Sequence, residues 1–153
     1  MDKKNKKYFE VNKETWNKKV SVHFESEFYD VETFKKGKTS LNDYEILEVG
    51  DVKGKSILHL QCHFGLDTLS WSRMGAKCTG IDFSNEGIRS AKLLNEELNL
   101  NATFIESNLY DVSEKVKGKF DIVYTSYGVI GWLPDLKTWG KIIANILNNG
   151  GVF

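Results

Sequence analysis

Four short stretches of this chain carry side chains that can hold a small molecule: Gln61–Gly65, Asp82, Ser107–Asn108–Leu109 and Thr125–Ser126–Tyr127. A carboxylate such as Asp82, set at the end of a strand, can accept both hydroxyls of a ribose. The side-chain amide of Asn108 can pair with an adenine edge. Gln61–Gly65 opens a helix, whose first amides lack partners and favour a carboxylate or phosphate nearby. Thr125, Ser126 and Tyr127 add hydroxyls. Besides His59, the only imidazoles are His23 and His63, either of which could take a proton near neutral pH. His59, Cys62 and His63 invite a metal reading. No fourth ligand has matching spacing, and a strand turns alternate residues apart, so no metal is expected.

These groups act together only if the intervening chain brings them to one edge. Ser56 to Leu60 is a short apolar run with one histidine, the pattern of a strand covered on both faces. Leu66, Leu69 and Trp71 to Met74 recur at about 3.6 residues, which predicts a helix. Asp67 and Thr68 stand where they could serve its first free amides, and Gly75 ends it. Lys77 to Ile81 is a second strand with Asp82 at its carboxyl end. Two parallel strands joined through a helix make a right-handed crossover, so Gln61–Gly65 and Asp82 share the rim where open parallel sheets bind ligands. Ser84 caps a helix with Ile88, Ala91, Leu94 and Leu98 on its apolar side, up to the break at Asn99–Asn101. Ala102–Glu106 is a third strand with Ser107–Asp111 as its rim loop, and Phe120–Thr125 a fourth, followed by the loop Ser126–Gly131. Pro134 and Asp135 introduce a helix that buries Leu136, Trp139, Ile142, Ile143, Ile146 and Leu147. Asn149–Gly151 stops it, and Val152 and Phe153 open a fifth strand. The alternation predicts an α/β fold: an open parallel sheet with helices on both faces.

Upstream, Trp16, Val20, Phe24, Phe28, Val31 and Phe34 fall three and four residues apart, predicting one or two amphipathic helices closed by Gly37. Leu41, Ile46, Leu47 and Val49 suggest another short helix. Residues 1–50 are thus expected to form a helical cover laid over the sheet, with residues 51–153 as the sheet domain and Met1–Lys7 as a frayed start. At 153 residues and 41% hydrophobic content, one domain can bury a real core. Lys+Arg 21 balance Asp+Glu 21, so nothing global draws the chain to nucleic acid or an anionic membrane. The lysines at Lys3–Lys7 and Lys35–Lys38 read as a solvated start and a solvated loop. No apolar run approaches the roughly 20 residues of a membrane span, and the start lacks the apolar core of a signal peptide, so a cytoplasmic location is expected. Cys62 and Cys78 lie at opposite ends of neighbouring strands, on the order of 13 Å apart and beyond the roughly 7 Å limit for a disulfide, so both should be free thiols.

The segments LHLQCHFGLDTLSWSRMGA, GIDFS, ESNLYD, FDIVYTSYGVIGWLPDL and ILNNGGVF occur in that order over nearly all of the second part. With them the chain resembles the class I S-adenosylmethionine-dependent methyltransferases, in particular a bacterial subgroup with a leucine-glutamine-cysteine-histidine-phenylalanine-glycine motif. The resemblance implies a Rossmann-like sheet of strand order 3-2-1-4-5. It implies S-adenosylmethionine as cofactor and S-adenosylhomocysteine as product. By the same likeness Gln61, Cys62, His63 and Gly65 surround the methionine moiety, and Asp82, followed by Phe83, is the acid that binds the ribose hydroxyls. Asn108 and Leu109 fall at the adenine, and Ser126 and Tyr127 in the loop lining the transferred methyl. In the subgroup the N-terminal helices close over the cofactor, which brings Trp16 and His23 toward it.

One departure stands out. The family's acid-x-Gly-x-Gly-x-Gly loop here reads His59-Leu60-Gln61-Cys62-His63-Phe64-Gly65, with only the last glycine kept. Glycines matter most where backbone must approach a pyrophosphate, which S-adenosylmethionine lacks, so the loss weakens a dinucleotide reading more than a methyltransferase one. It also leaves His59 unable to serve as the usual acidic anchor. Asp82 could instead be only a helix-capping or turn residue, and Tyr127 and Trp132 could be core or lid residues rather than partners of a sulfonium. The expected function is methyl transfer to a small-molecule acceptor, with no catalytic side chain assigned. The alternatives are a cofactor-binding module without turnover and, disfavoured by the absent G-x-G-x-x-G, a nicotinamide-dependent oxidoreductase. A complete domain of the family continues past strand five. The expectation is therefore a fragment of a longer enzyme, or a homo-oligomer formed through the unfinished sheet edge.

Overall fold

The computed structural model describes residues 3–153. Three helices come first: α1 (Lys3–Phe24), α2 (Val31–Lys35) and α3 (Asp43–Val49). The expected fraying of Met1–Lys7 gives way to helix from Lys3, while Met1 and Asp2 lie outside the described residues. The strands β1 (Ser56–Leu60), β2 (Lys77–Asp82), β3 (Thr103–Glu106), β4 (Phe120–Thr125) and β5 (Leu147–Val152) form one sheet in the order β3-β2-β1-β4-β5. Every pairing is parallel. Parallel neighbours need long crossovers, and α4 (Leu66–Arg73), α5 (Asn85–Glu97), α6 (Val112–Lys115) and α7 (Leu136–Ile146) lie within them.

Successive strand residues face opposite sides of the sheet. Leu58 and Leu60 therefore pack with Ile81, Val123 and the Ile142, Ile143 and Ile146 of α7. On the other side Ile57 packs with Trp71 of α4, Cys78, Ile122 and Tyr124. Ile57, Leu58 and Leu60 are fully buried, as a central strand covered on both faces requires. Val20 of α1 and Val31 and Phe34 of α2 join Phe64, Leu66, Ile88, Leu94 and Phe104 in a third cluster. Helix α1 runs against α5, and Lys13 on it pairs with Glu106 at the end of β3 at 2.5 Å.

Several local expectations are corrected. Asp67 and Thr68 do not cap α4, which starts from Gly65 in the left-handed region (φ 83°) without a side-chain cap. Instead Asp67 accepts the Ser40 hydroxyl at 2.6 Å, and Thr68 pairs with His59 at 2.8 Å. Ser84 and Asp135 do cap, taking the amides of Gly87 and Thr138. Phe28, Leu47 and Leu136, expected in apolar faces, are exposed. Asn149–Gly151, expected to stop the last helix, lie within β5, which starts directly after Ile146. Asp121 explains this. Its carboxylate is fixed by the amide and hydroxyl of Ser56, both at 2.8 Å, and takes the Asn148 amide at 2.7 Å. A side chain at Gly151 would stand 3.0 Å from the Asp121 carbonyl, so the close approach suits glycine.

The Phe104 ring lies across two glycines: a Cβ on Gly65 would meet its Cε1 at 2.6 Å, and one on Gly80 its Cδ1 at 2.9 Å. Gly65→Ala combines that clash with a strained φ, and we expect urea denaturation to show a loss of about 2–4 kcal/mol. Gly140→Ala, on an exposed turn of α7 with open space around it, should gain about 0.5–1 kcal/mol in the same assay.

Candidate functional site

In this strand order β1 has β2 on one side and β4 on the other, so the loops leaving β1 and β4 diverge and open a crevice at the carboxyl rim. The loop after β1 is held from below. The Cys62 amide donates to the Ile81 carbonyl at 2.8 Å, and the His63 amide donates to Asp82 Oδ2 at 2.9 Å. The other carboxylate oxygen, Oδ1, takes the Ser84 amide at 2.8 Å. Asp82 is thus a turn residue, as its plainer reading had it, and it also lines the cavity above.

Gln61, His63 and Gly65 all have positive φ (57°, 53° and 83°). These are the positions that hold glycine in the related loop pattern, so the backbone keeps that path although two glycines are gone. A left-handed non-glycine residue costs on the order of 1–2 kcal/mol. In exchange, two polar side chains stand where glycine would present none.

The crevice is a cavity of about 600 Å³, within the range of small-molecule sites. Eleven of the residues singled out from the sequence line it: Trp16, Gln61, Cys62, His63, Gly65, Asp82, Phe83, Asn108, Leu109, Ser126 and Tyr127, whereas Thr125 does not. His23 does not. It stands behind His63, with Nδ1 3.0 Å from His63 Nε2. Asn108 is partly engaged, its Oδ1 accepting the Tyr110 amide at 3.0 Å.

The cover supplies the outer wall. The Trp16 ring on α1 meets those of Trp132, beyond β4, and His63 at centroid distances of 5.5 and 5.3 Å. Asn17 on α1 accepts the Ser84 hydroxyl at 2.7 Å and donates to Asn85 at 2.8 Å, which docks α1 on the start of α5. Around α3, Asn42 donates to the Tyr127 hydroxyl at 3.1 Å, the Tyr44 and Tyr127 hydroxyls bond each other, and Tyr124 donates to Glu45. Tyr127 is therefore a braced wall residue, exposed on its far side. Sequence reasoning missed Asn17, Ser40, Asn42 and the lining role of Asp67, because each acts through a partner more than 25 positions away.

Burial pushes the Asp82 carboxyl up to about 6 despite its backbone donors. Burial likewise lifts Asp67 to about 6, opposed by the Ser40 hydrogen bond and assisted by the charge of Glu45. His63 is lowered to about 3 by burial and by the nearby charges of His23 and Lys19, and His59 to about 3 by burial alone. Both imidazoles are neutral at physiological pH. His59, with Nδ1 against the Thr68 hydroxyl and its ring against Tyr124, is a core residue. Cys62 and Cys78 are free, buried thiols, and burial raises Cys78 to about 12.

A parallel sheet of this order, with its cavity at the switch point, defines a Rossmann-like α/β domain. The chain belongs to the methyltransferase domain family, whose sequence profile matches residues 57–151. It is 30% identical over 123 residues to a ubiquinone biosynthesis O-methyltransferase of Psychrobacter cryohalolentis, an alignment covering 79% of this chain and 47% of that protein. The protein of the same name from Photorhabdus laumondii is 28% identical over 71% of this chain and 45% of its own length. The chain spans about half the length of the curated relatives it matches. Among solved structures, an S-adenosylmethionine-dependent methyltransferase from Clostridium acetobutylicum superposes with TM-score 0.64 at 17% identity, covering 90% of this chain and 55% of that one. One from Geobacter sulfurreducens, in complex with S-adenosyl-L-homocysteine, gives 0.57 at 23% identity, covering 78% and 51%. These two likenesses concern the fold.

The raised carboxyl of Asp67 makes stability depend on pH. Its folded pKa of about 6 exceeds the ordinary 3.8, so folding takes up a proton between those values. The contribution is fully present below pH 4 and is lost as pH rises through 6. Compared with Asp67→Asn, the wild type should lose about 2–3 kcal/mol between about pH 4 and 7, read from paired urea denaturation curves.

Proposed function

We propose that this chain forms the cofactor-binding part of an S-adenosylmethionine-dependent methyltransferase acting on a small-molecule acceptor. One observation carries the reading: a cavity at the switch point brings the Asp82 carboxylate, the loop of Gln61, Cys62, His63 and Gly65, and the Asn108–Leu109 turn to one space. Family membership and relatives named as O-methyltransferases support it. The residues present fit the cofactor. Each Asp82 oxygen accepts one backbone amide and keeps a second acceptor position for a ribose hydroxyl. Asn108 and Leu109 sit beyond Asp82 on the next strand end, within reach of a base attached to that ribose.

When bound, S-adenosylmethionine supplies an electrophilic methyl group and leaves as S-adenosylhomocysteine. The chain's own contribution is to hold, align and dry the reactants. Asp82, braced by two amides, would hold the sugar end, and the strained Gln61–Gly65 loop would hold the methionyl end. Trp16, Trp132 and Tyr127 exclude water and leave an aromatic mouth for the acceptor. His63 in that wall is neutral, and its buried Nδ1 has no hydrogen-bond partner. No side chain is assigned as the base.

A small-molecule acceptor rather than nucleic acid is supported by the zero net charge and the walled cavity. A cytoplasmic setting is supported by the two free thiols; among the described residues no helix is long and apolar enough to cross a membrane. Exposed Val152 and Phe153 at the outer strand β5 support association of two copies along that edge, which analytical ultracentrifugation should read as a dimer at micromolar concentration; a monomer throughout would remove this element.

Calorimetric titration tests the main reading. S-adenosylhomocysteine should bind and NAD should not, and Asp82→Ala should weaken the nucleoside by about tenfold or more while the protein stays folded. Binding of NAD alone, or an unaltered affinity in the folded variant, would overturn it.

A further inference from the structure

Three carboxylates line the cavity, and two have an evident structural occupation. Asp30 caps α2 and pairs with Lys38 at 3.7 Å, and Asp82 braces two amides. Asp67 has only the Ser40 hydroxyl at 2.6 Å, which Ser70 holds in turn at 3.0 Å. None of the ion pairs among the described residues includes it. The groups around it are acidic or neutral: Glu45 from α3, Tyr29 from the loop before α2, Tyr124 from β4 and Cys62 from the loop after β1. A desolvated carboxylate among such neighbours lacks its counter-charge.

Gln61 presents a second unmet demand in the same cavity. Its Nε2 donates to the Val129 carbonyl at 3.5 Å, which fixes the amide's orientation, and its Oε1 is buried with no partner. Asp67 and Gln61 together ask for a group that is positively charged and carries several N–H donors. An anion would be repelled, and a sulfonium has no proton for the Gln61 oxygen. A primary ammonium satisfies both.

Resting on the adenosyl reading above, we propose that Asp67, backed by Ser40, and Gln61 form a subsite for the α-ammonium group at the methionyl end of the cofactor. The placement follows the chain. Gln61 starts the loop that the adenosyl reading sets beside the methionyl portion, and Asp67 lies in the first turn of α4 at the loop's other end. His59, where related loops carry an acid, is a neutral core residue here, so the negative charge enters from the helix instead of the strand. Because Ser40 belongs to the segment between α2 and α3, the subsite also couples the cover to the occupant of the crevice.

The test compares S-adenosylhomocysteine with 5′-methylthioadenosine, which keeps the nucleoside and thioether but lacks the amino-acid end. In calorimetric titration Asp67→Asn, which can still accept the Ser40 hydroxyl, should weaken S-adenosylhomocysteine by about tenfold or more and leave methylthioadenosine unchanged. Gln61→Met should act in the same direction by about threefold. Equal weakening of both ligands would make Asp67 merely structural, and an unchanged or tighter S-adenosylhomocysteine would reject the ammonium contact; either overturns the subsite. If the wild type binds methylthioadenosine as tightly as S-adenosylhomocysteine, the subsite fails while the nucleoside reading stands. If it binds neither, both fail together.

Discussion

The two amide hydrogen bonds accepted by Asp82 hold the rim together. One comes from His63 in the loop after β1 and the other from Ser84 at the head of α5, so a single carboxylate at the end of β2 ties two crossovers to one point. Without it, the left-handed conformations of Gln61 and His63 would lack their anchor. Strain of that kind persists only where surrounding contacts over-determine it. Here they do: the Cys62 amide bonds to Ile81, and Phe104 packs against both Gly65 and Gly80.

Around that point, the N-terminal helices complete the site rather than decorate it. Asn17 reaches the same Ser84 whose amide Asp82 holds, and Ser40 reaches Asp67. Asn42, Tyr44 and Glu45 fasten the hydroxyls of Tyr127 and Tyr124. Each contact joins a cover residue to a residue at or beside the crevice, so the position of the cover and the shape of the cavity are linked. The apolar contacts of Val20, Val31 and Phe34 with the α4–α5 side supply the burial that keeps these polar contacts in register.

The electrostatics of the crevice are lopsided. Its carboxylates, the buried Asp82 and the half-buried Asp67, are both lifted by desolvation, while its one lining imidazole, His63, is held neutral. Lys38 is the one lining lysine, and it already faces Asp30. Such a space favours a ligand that brings positive charge and hydroxyl donors. A nucleoside with a cationic tail has both.

Much of this was legible in the sequence. Apolar runs and their punctuation located β1 and β4 to the residue and β2 within one, because strands of a sheet covered on both faces are rich in apolar and β-branched residues. The alternation of strand and helix implied the parallel order, and parallel strands put their carboxyl ends, with Asp82, on one rim. Local patterns misled where the deciding partner lay far along the chain. Asn149–Gly151 read as a stop but pair beside Asp121, Asp67 read as a cap but turns to Ser40, and His23 read as a contact but stands behind His63. Periodicity also promised burial for Phe28, Leu47 and Leu136, which are exposed. The sequence by itself determined the sheet and the chemical types at its rim, since short-range hydrophobic patterning dictates both. Only the tertiary structure decided which carboxylate braces backbone and which is left without a counter-charge, because that depends on what desolvates and faces each group across the fold.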